Sequence, residues 1–155
     1  MPKVLVIDSN EDSILEAMIG AEEKGMEADF SKDMVSALEK MDKEDFLYVL
    51  TDMEIPRYAN GPLDEKAGET ICRECQKRGI TVAVVSEGRV RIPDPAVRQH
   101  YSNEAPISFW EIATYYRGKN SDTWKYTISL LNDIGRLPHD FVLTARQHGK
   151  TFQII

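Results

Sequence analysis

The sequence predicts an α/β protein built on an open, doubly wound parallel sheet, with a C-terminal extension. Three observations carry that reading. Short continuous apolar runs, KVLVID (3–8), FLYVLTD (46–52) and ITVAVVSEG (80–88), have the pattern of strands buried on both faces. Amphipathic stretches of helical period separate them. Their order of strand, helix, strand, helix is the alternation that places helices on both faces of a parallel sheet.

Each element has its own warrant. KVLVID is rich in valine and ends in an acid, and it predicts the first strand. SILEAMIGAEEKG (13–25) predicts a helix with Ile14, Leu15, Met18, Ile19 and Ala21 at helical spacing and Gly25 as its stop. EADFS (27–31) is a short second strand. SKDMVSALEKMDKED (31–45) predicts a second helix with Ser31 as N-cap and Met34, Val35, Leu38 and Met41 facing inward. FLYVLTD is the third strand and AGETICRECQKRG (67–79) the third helix, and ITVAVVSEG, almost wholly β-branched or small, is the next strand.

Length and composition bound the rest. A chain of 155 residues makes one domain burying roughly 70% of its unfolded surface. Hydrophobic residues at 42% and charged residues at 29% are ordinary for a folded globular protein. The net charge of -7 offers no basic field for a nucleic-acid backbone or an anionic membrane, and neither is an expected partner. The opening MPKVLVIDSN lacks the long apolar stretch of a signal peptide, so the expected location is the cytoplasm. In that setting Cys72 and Cys75 are expected to be reduced thiols. Their C-x-x-C spacing lacks a second ligand pair for zinc and falls a turn inside a helix, so both read as small residues on a buried helical face.

Open α/β sheets bind ligands beyond the carboxyl ends of their strands, near the switch in strand order. Three of those ends here read Asp8-Ser9-Asn10, Asp52 and Ser86. Two acids and a hydroxyl, distant in sequence, are therefore expected on one rim. A carboxylate attacks a phosphoryl group only when the negative charge of both partners is offset, and a divalent ion held by oxygen ligands does this. In that chemistry Asp52 is the acceptor, Asp8 a metal ligand or its anchor and Ser86 the hydroxyl that senses the phosphoryl group.

VLVIDSN followed by a helix, VLTDMEIP followed by a loop and helix, and VAVVSEG resemble the first, third and fourth strands of response-regulator receiver domains, which have a flavodoxin-like fold. The resemblance covers about residues 3–88. It implies that Asp52 accepts a phosphoryl group from a histidine kinase, that Asp8 opens the acidic pair that binds Mg2+, that the backbone carbonyl of Glu54 is a metal ligand, and that Ser86 is the switch hydroxyl. Two departures stand out. Ser9 replaces the second acid of the pair and is a weak metal ligand, so Mg2+ affinity is expected to fall, with Glu54, Glu11 or Asp12 as candidates to lend a carboxylate in compensation. The 57–67 stretch between Pro56 and Gly68 is longer than the usual loop.

Beyond Gly88 the likeness fades. No Lys-Pro follows a fifth strand; FWEIATYYRGK (109–119) can be aligned there, which makes Lys119 the family's lysine. Ser108 and Glu111 also form a capping box ahead of Ile112, Ala113 and Tyr116, so a helix competes for the same residues. RVRIPDPAVRQHYSNEAP (89–106) reads as a long loop. DTWKYTISLLND predicts a helix with Trp124, Ile128 and Leu131 on its core face. The receiver-like domain is thus expected over 1–135, and 136–155 as an extension forming a strand or hairpin on the same domain. His139 and His148 in that extension have no expected role.

These readings leave a stand-alone receiver-like signalling domain, a pseudo-receiver that binds proteins without phosphorylation, and a small phosphohydrolase of the haloacid-dehalogenase type, disfavoured because Glu54 stands where that family has an aspartate. Turnover catalysis is not expected. The expected partner is a protein, a histidine kinase or a downstream effector, with the chain itself a monomer or homodimer.

Overall fold

A computed structural model describes residues 1–52 and 54–84, and seven helical residues at 124, 125, 127–129, 131 and 132. In order the elements are β1 (Lys3–Ile7), α1 (Glu11–Glu23), β2 (Glu27–Ser31), α2 (Met34–Lys43), β3 (Tyr48–Thr51), β4 (Ile55–Pro56), β5 (Leu63–Asp64), α3 (Glu65–Lys77) and β6 (Thr81–Val84). Strands β2, β1, β3 and β6 form one sheet in that order, and every pairing is parallel.

This order follows from the apolar runs. Val4, Leu5, Val6 and Ile7 of β1, and Val49 and Leu50 of β3, are fully buried. Residues this apolar on both faces satisfy themselves only in the middle of a sheet covered by helices. Glu27 and Asp29 put charge on β2, which suits it to the edge. From β1 the chain steps to one side to make β2, then crosses back over β1 to make β3 and continues outward to β6. Right-handed crossovers place helices on opposite faces when the direction of travel reverses. Accordingly α2 and α3 pack against each other, whereas α1 is linked to the 124–132 helical residues through Lys125 and Glu23, 2.7 Å apart. The reversal falls between β1 and β3, so the strand-order switch adjoins the ends that carry Asp8 and Asp52.

The core joins both layers. Trp124, Ile128 and Leu131 are fully buried in one cluster with the sheet, as their spacing predicts. The Tyr48 hydroxyl donates to Asn132 at 2.6 Å, tying that helix to β3. Cys72 and Cys75 are free thiols buried on the inner face of α3. Burial pushes the Cys72 thiol up to about 12 and raises Cys75 as well, so neither is a ready nucleophile.

Three expectations need correction. Helix α1 begins at Glu11, and its buried face is Ile14, Ala17 and Ala21, while Leu15 and Ile19 are 58% and 46% exposed. Small residues let the helix sit close to the sheet, which turns the bulkier pair outward. Ser31 closes β2, and Asp33 is the N-cap of α2, its side chain accepting from the Ser36 N–H. Val35 is then exposed, and Ala37 and Met41 face inward. Finally, residues 55–64 form an antiparallel hairpin, with Ile55 opposite Asp64 and Pro56 opposite Leu63. Its turn uses Asn60 at φ 60, a left-handed conformation that asparagine tolerates, and closes with the Gly61 N–H on the Tyr58 carbonyl at 3.0 Å. An Arg57–Asp64 ion pair at 2.6 Å holds its two arms.

The expectations for the 89–106 loop, for 108–119 as strand or helix, and for the 136–155 extension fall outside the described residues.

Candidate functional site at the strand-order switch

Backbone hydrogen bonds knit the carboxyl rim of the sheet together. Ile7 pairs with Ser31 on one side and Thr51 on the other. One residue further, the Asp8 N–H donates to the Ser31 carbonyl at 3.1 Å and the Asp52 N–H donates to the Ile7 carbonyl at 2.9 Å. The ends of β2, β1 and β3 are thereby locked side by side, and Asp8 and Asp52 emerge from neighbouring strands at the same level.

The two acids differ in setting. Asp8 is 1% exposed, and its Oδ1 accepts the Asn10 N–H at 2.9 Å. That contact turns the chain out of β1 and into α1, whose N-cap is Asn10 itself, with Oδ1 accepting the Ser13 N–H at 3.1 Å. Asp52 is half-buried. The buried Thr51 hydroxyl donates to the Asp52 carbonyl at 2.8 Å, and the Glu54 N–H points at the Asp52 carboxylate with a 3.4 Å separation. Glu54, next to the first strand of the hairpin, therefore has its N–H facing that carboxylate. Ser9 and Glu54 are exposed at the same rim.

Of the residues expected in the site, the structure brings Asp8, Asp52, Ser9 and Glu54 to one rim. Ser86 and Lys119 lie outside the described residues; the register places Val84, two residues before Ser86, opposite Thr51. The sequence reading missed a charged pair on this rim. Lys32, the residue after β2, puts its Nζ 2.5 Å from Glu11 Oε1 at the first turn of α1, and this contact holds the Glu11 carboxyl below the usual carboxylate range. The pair spans two elements, and no local pattern announces it. The Asn10 cap, by contrast, was readable as an asparagine ahead of an acidic first turn.

Chemically the rim offers hard oxygen donors, the two carboxylates at the ends of adjacent strands. This set suits Mg2+, which takes one or two carboxylates and completes its shell with carbonyls and water. Among the described residues no three His, Cys, Asp or Glu side chains gather into a metal cluster.

No protein-family model matches the sequence, and no curated protein does. Solved structures do match. A CheY-like response regulator receiver domain protein from Methanospirillum hungatei JF-1 aligns over 88% of this chain and 98% of its own, with TM-score 0.62 and 16% identity. The receiver domain of the Francisella response regulator 1452 aligns over 88% and 100%, with TM-score 0.59 and 17% identity. A de novo designed Rossmann 2x3 fold protein aligns over 90% and 96%, with TM-score 0.54 and 18% identity. The chain has the receiver-domain fold: a flavodoxin-like parallel sheet with flanking helices. Because a designed protein shares the architecture, function has to be argued from the rim itself. No helix among the described residues is long and apolar enough to cross a membrane.

Proposed function

We propose that this chain is a receiver-like signalling domain that takes a phosphoryl group on Asp52 with Mg2+ and passes the change to a protein partner. The observation that carries the reading is the meeting of Asp8 and Asp52 at the β1–β3 switch, through the Asp52 N–H to Ile7 carbonyl bond. In the step proposed, an Asp52 carboxylate oxygen attacks phosphorus and a new P–O bond forms. The bond from phosphorus to the donor breaks with its electron pair, leaving, for a phosphohistidine donor, an imidazole that takes up a proton. Mg2+, bound by Asp8, Asp52 and the Glu54 carbonyl, would offset the charge of the incoming phosphoryl oxygens.

The chain's own groups prepare this step. The Thr51 hydroxyl fixes the Asp52 peptide, and the Glu54 N–H faces the carboxylate. Asp8 is buried, so a cation brought to it meets little competing water, which strengthens the attraction. Ser86 is proposed as the hydroxyl that binds a phosphoryl oxygen, and Lys119 as the cation opposite it. The partners proposed are a histidine kinase as donor and an effector protein as reader.

A second reading rests on Ser9. With one acid fewer than the family pattern, the fold would act as a protein-binding module whatever the state of Asp52. Intact-protein mass after incubation with a small phosphodonor and Mg2+ separates the two. The proposal expects one phosphoryl adduct on the wild type and none on Asp52→Asn; an unmodified wild type favours the binding module.

A further inference from the structure

The rim lacks the second acid that Ser9 replaces, and the helix that follows it opens with a carboxylate. Glu11 is the first residue of α1. The Asn10 N–H lies 2.9 Å from Asp8 Oδ1, and backbone dimensions then keep the Glu11 Cα within roughly 8 Å of that oxygen. Cα–Cβ bonds in a helix tilt toward its N-terminus, so the side chain of a first-turn residue leans toward the β1–α1 loop that Asp8 opens. A metal ion bridging two carboxylates spans ~4 Å between their oxygens, and an interposed water adds more. The glutamate side chain covers the remainder.

The Lys32 contact independently fixes where this carboxylate rests. Lys32 follows Ser31, whose carbonyl accepts the Asp8 N–H. Its ammonium lies 2.5 Å from Glu11 Oε1, which ties the Glu11 carboxylate to the residue that follows β2, the strand beside β1. Neither neighbouring acid has such an anchor: Asp12 and Glu54 are exposed, and no hydrogen bond or ion pair to the Asp12 or Glu54 side chain holds it toward the rim among the described residues. The Glu11 and Lys32 side chains are 77% and 45% exposed. An ion pair this accessible to water is weak and easily exchanged.

From this geometry we infer that Glu11 supplies the carboxylate that Ser9 lacks when Mg2+ binds, and that Lys32 is its competitor, holding it while the metal is absent. The inference rests on the metal-assisted reading of the rim. It makes metal loading an exchange: Glu11 leaves an ammonium for a divalent ion, and Lys32 is released beside the rim. A device of this kind lowers Mg2+ affinity relative to a fixed acidic pair and makes it sensitive to the Lys32 charge.

Isothermal titration of the full chain with MgCl2 tests this without any phosphodonor. Glu11→Gln is expected to weaken Mg2+ binding at least about tenfold, the scale on which even supporting groups of metal sites act. Lys32→Met is expected to strengthen it roughly two- to fivefold, the release of a weak surface pair. In the Glu11→Gln background, Lys32→Met is expected to add nothing, because its effect runs through Glu11; this coupling separates competition from a general change of charge. Thermal melting of each variant checks folding. Should Glu11→Gln bind Mg2+ as the wild type does while Asp52→Asn loses it, the inference is overturned and the rim reading stands. An equal gain from Lys32→Met in both backgrounds also overturns it. A wild type that binds no Mg2+ sinks both.

Discussion

Removing the Asp33 side chain should destabilise the protein measurably, and removing the Ser31 hydroxyl should not. Asp33 is 7% exposed, and its carboxylate accepts the Ser36 N–H at 2.8 Å and the Ser36 hydroxyl at 2.9 Å. Asp33→Ala removes both bonds and leaves the Ala37 N–H to Asp33 carbonyl bond at 3.2 Å in place. Loss of an N-cap costs ~0.5–2 kcal/mol. A charged acceptor making two bonds from a buried position belongs at the upper end, ~1.5–2 kcal/mol. For a domain of this length that lowers Tm by roughly 3–8 °C. The Ser31 hydroxyl, 3% exposed, has no hydrogen-bond partner among the described residues. Deleting a buried polar atom of this kind is neutral or mildly stabilising, within ~0.5 kcal/mol of the wild type. Urea unfolding followed by circular dichroism, with the slope m unchanged, reads both values. A wild-type midpoint for Asp33→Ala, or a loss of ~1 kcal/mol for Ser31→Ala, would refute the capping argument.

Other consequences are as direct. Leu131→Ala should cost ~2–5 kcal/mol by chemical denaturation, because Leu131 is fully buried against the sheet; a change under ~1 kcal/mol would mean that this helix does not close the core. Native protein should resist thiol labelling at pH 8 and react at both cysteines in denaturant, since burial pushes the Cys72 thiol up to about 12; stoichiometric native labelling would contradict that. The hairpin should loosen in acid. The hydrogen bond from Arg57 holds the Asp64 carboxyl below its usual range. A carboxyl depressed in the folded state contributes stability above its unfolded value of roughly 4, and that contribution is lost as pH falls through the folded value. Amide signals of residues 55–64 should therefore shift below about pH 4, and Asp64→Asn should abolish the transition. An unchanged transition in that variant would assign it to another group.

The strands were legible because their signal is local. Val4 to Ile7 and Tyr48 to Thr51 are runs too apolar for a half-exposed position, and each is followed by the acid that ends it. Knowing that those ends adjoin required only the parallel alternation and the reversal after β2. Helix faces were less legible. In α1 the apolar residues cover more than one stripe, and the choice between Leu15 and Ala17 as the inward residue depends on how closely the helix approaches the sheet. Ser31 and Asp33 are both capping residues two positions apart, and only the length of β2 decides between them. The hairpin escaped notice because its strands, two residues each, are too short to show any period. The Glu11–Lys32 pair joins residues twenty-one apart through the fold, which no window of sequence contains.

The central claim is that Asp52 accepts the phosphoryl group. It is tested most directly by treating the chain with a small phosphodonor and Mg2+, reducing the product with borohydride and mapping the modified peptide by mass spectrometry. An acyl phosphate is reduced at its own residue, so the account predicts one reduced side chain, at position 52, and none in Asp52→Asn. A reduced side chain elsewhere, or an adduct that survives in Asp52→Asn, would contradict it.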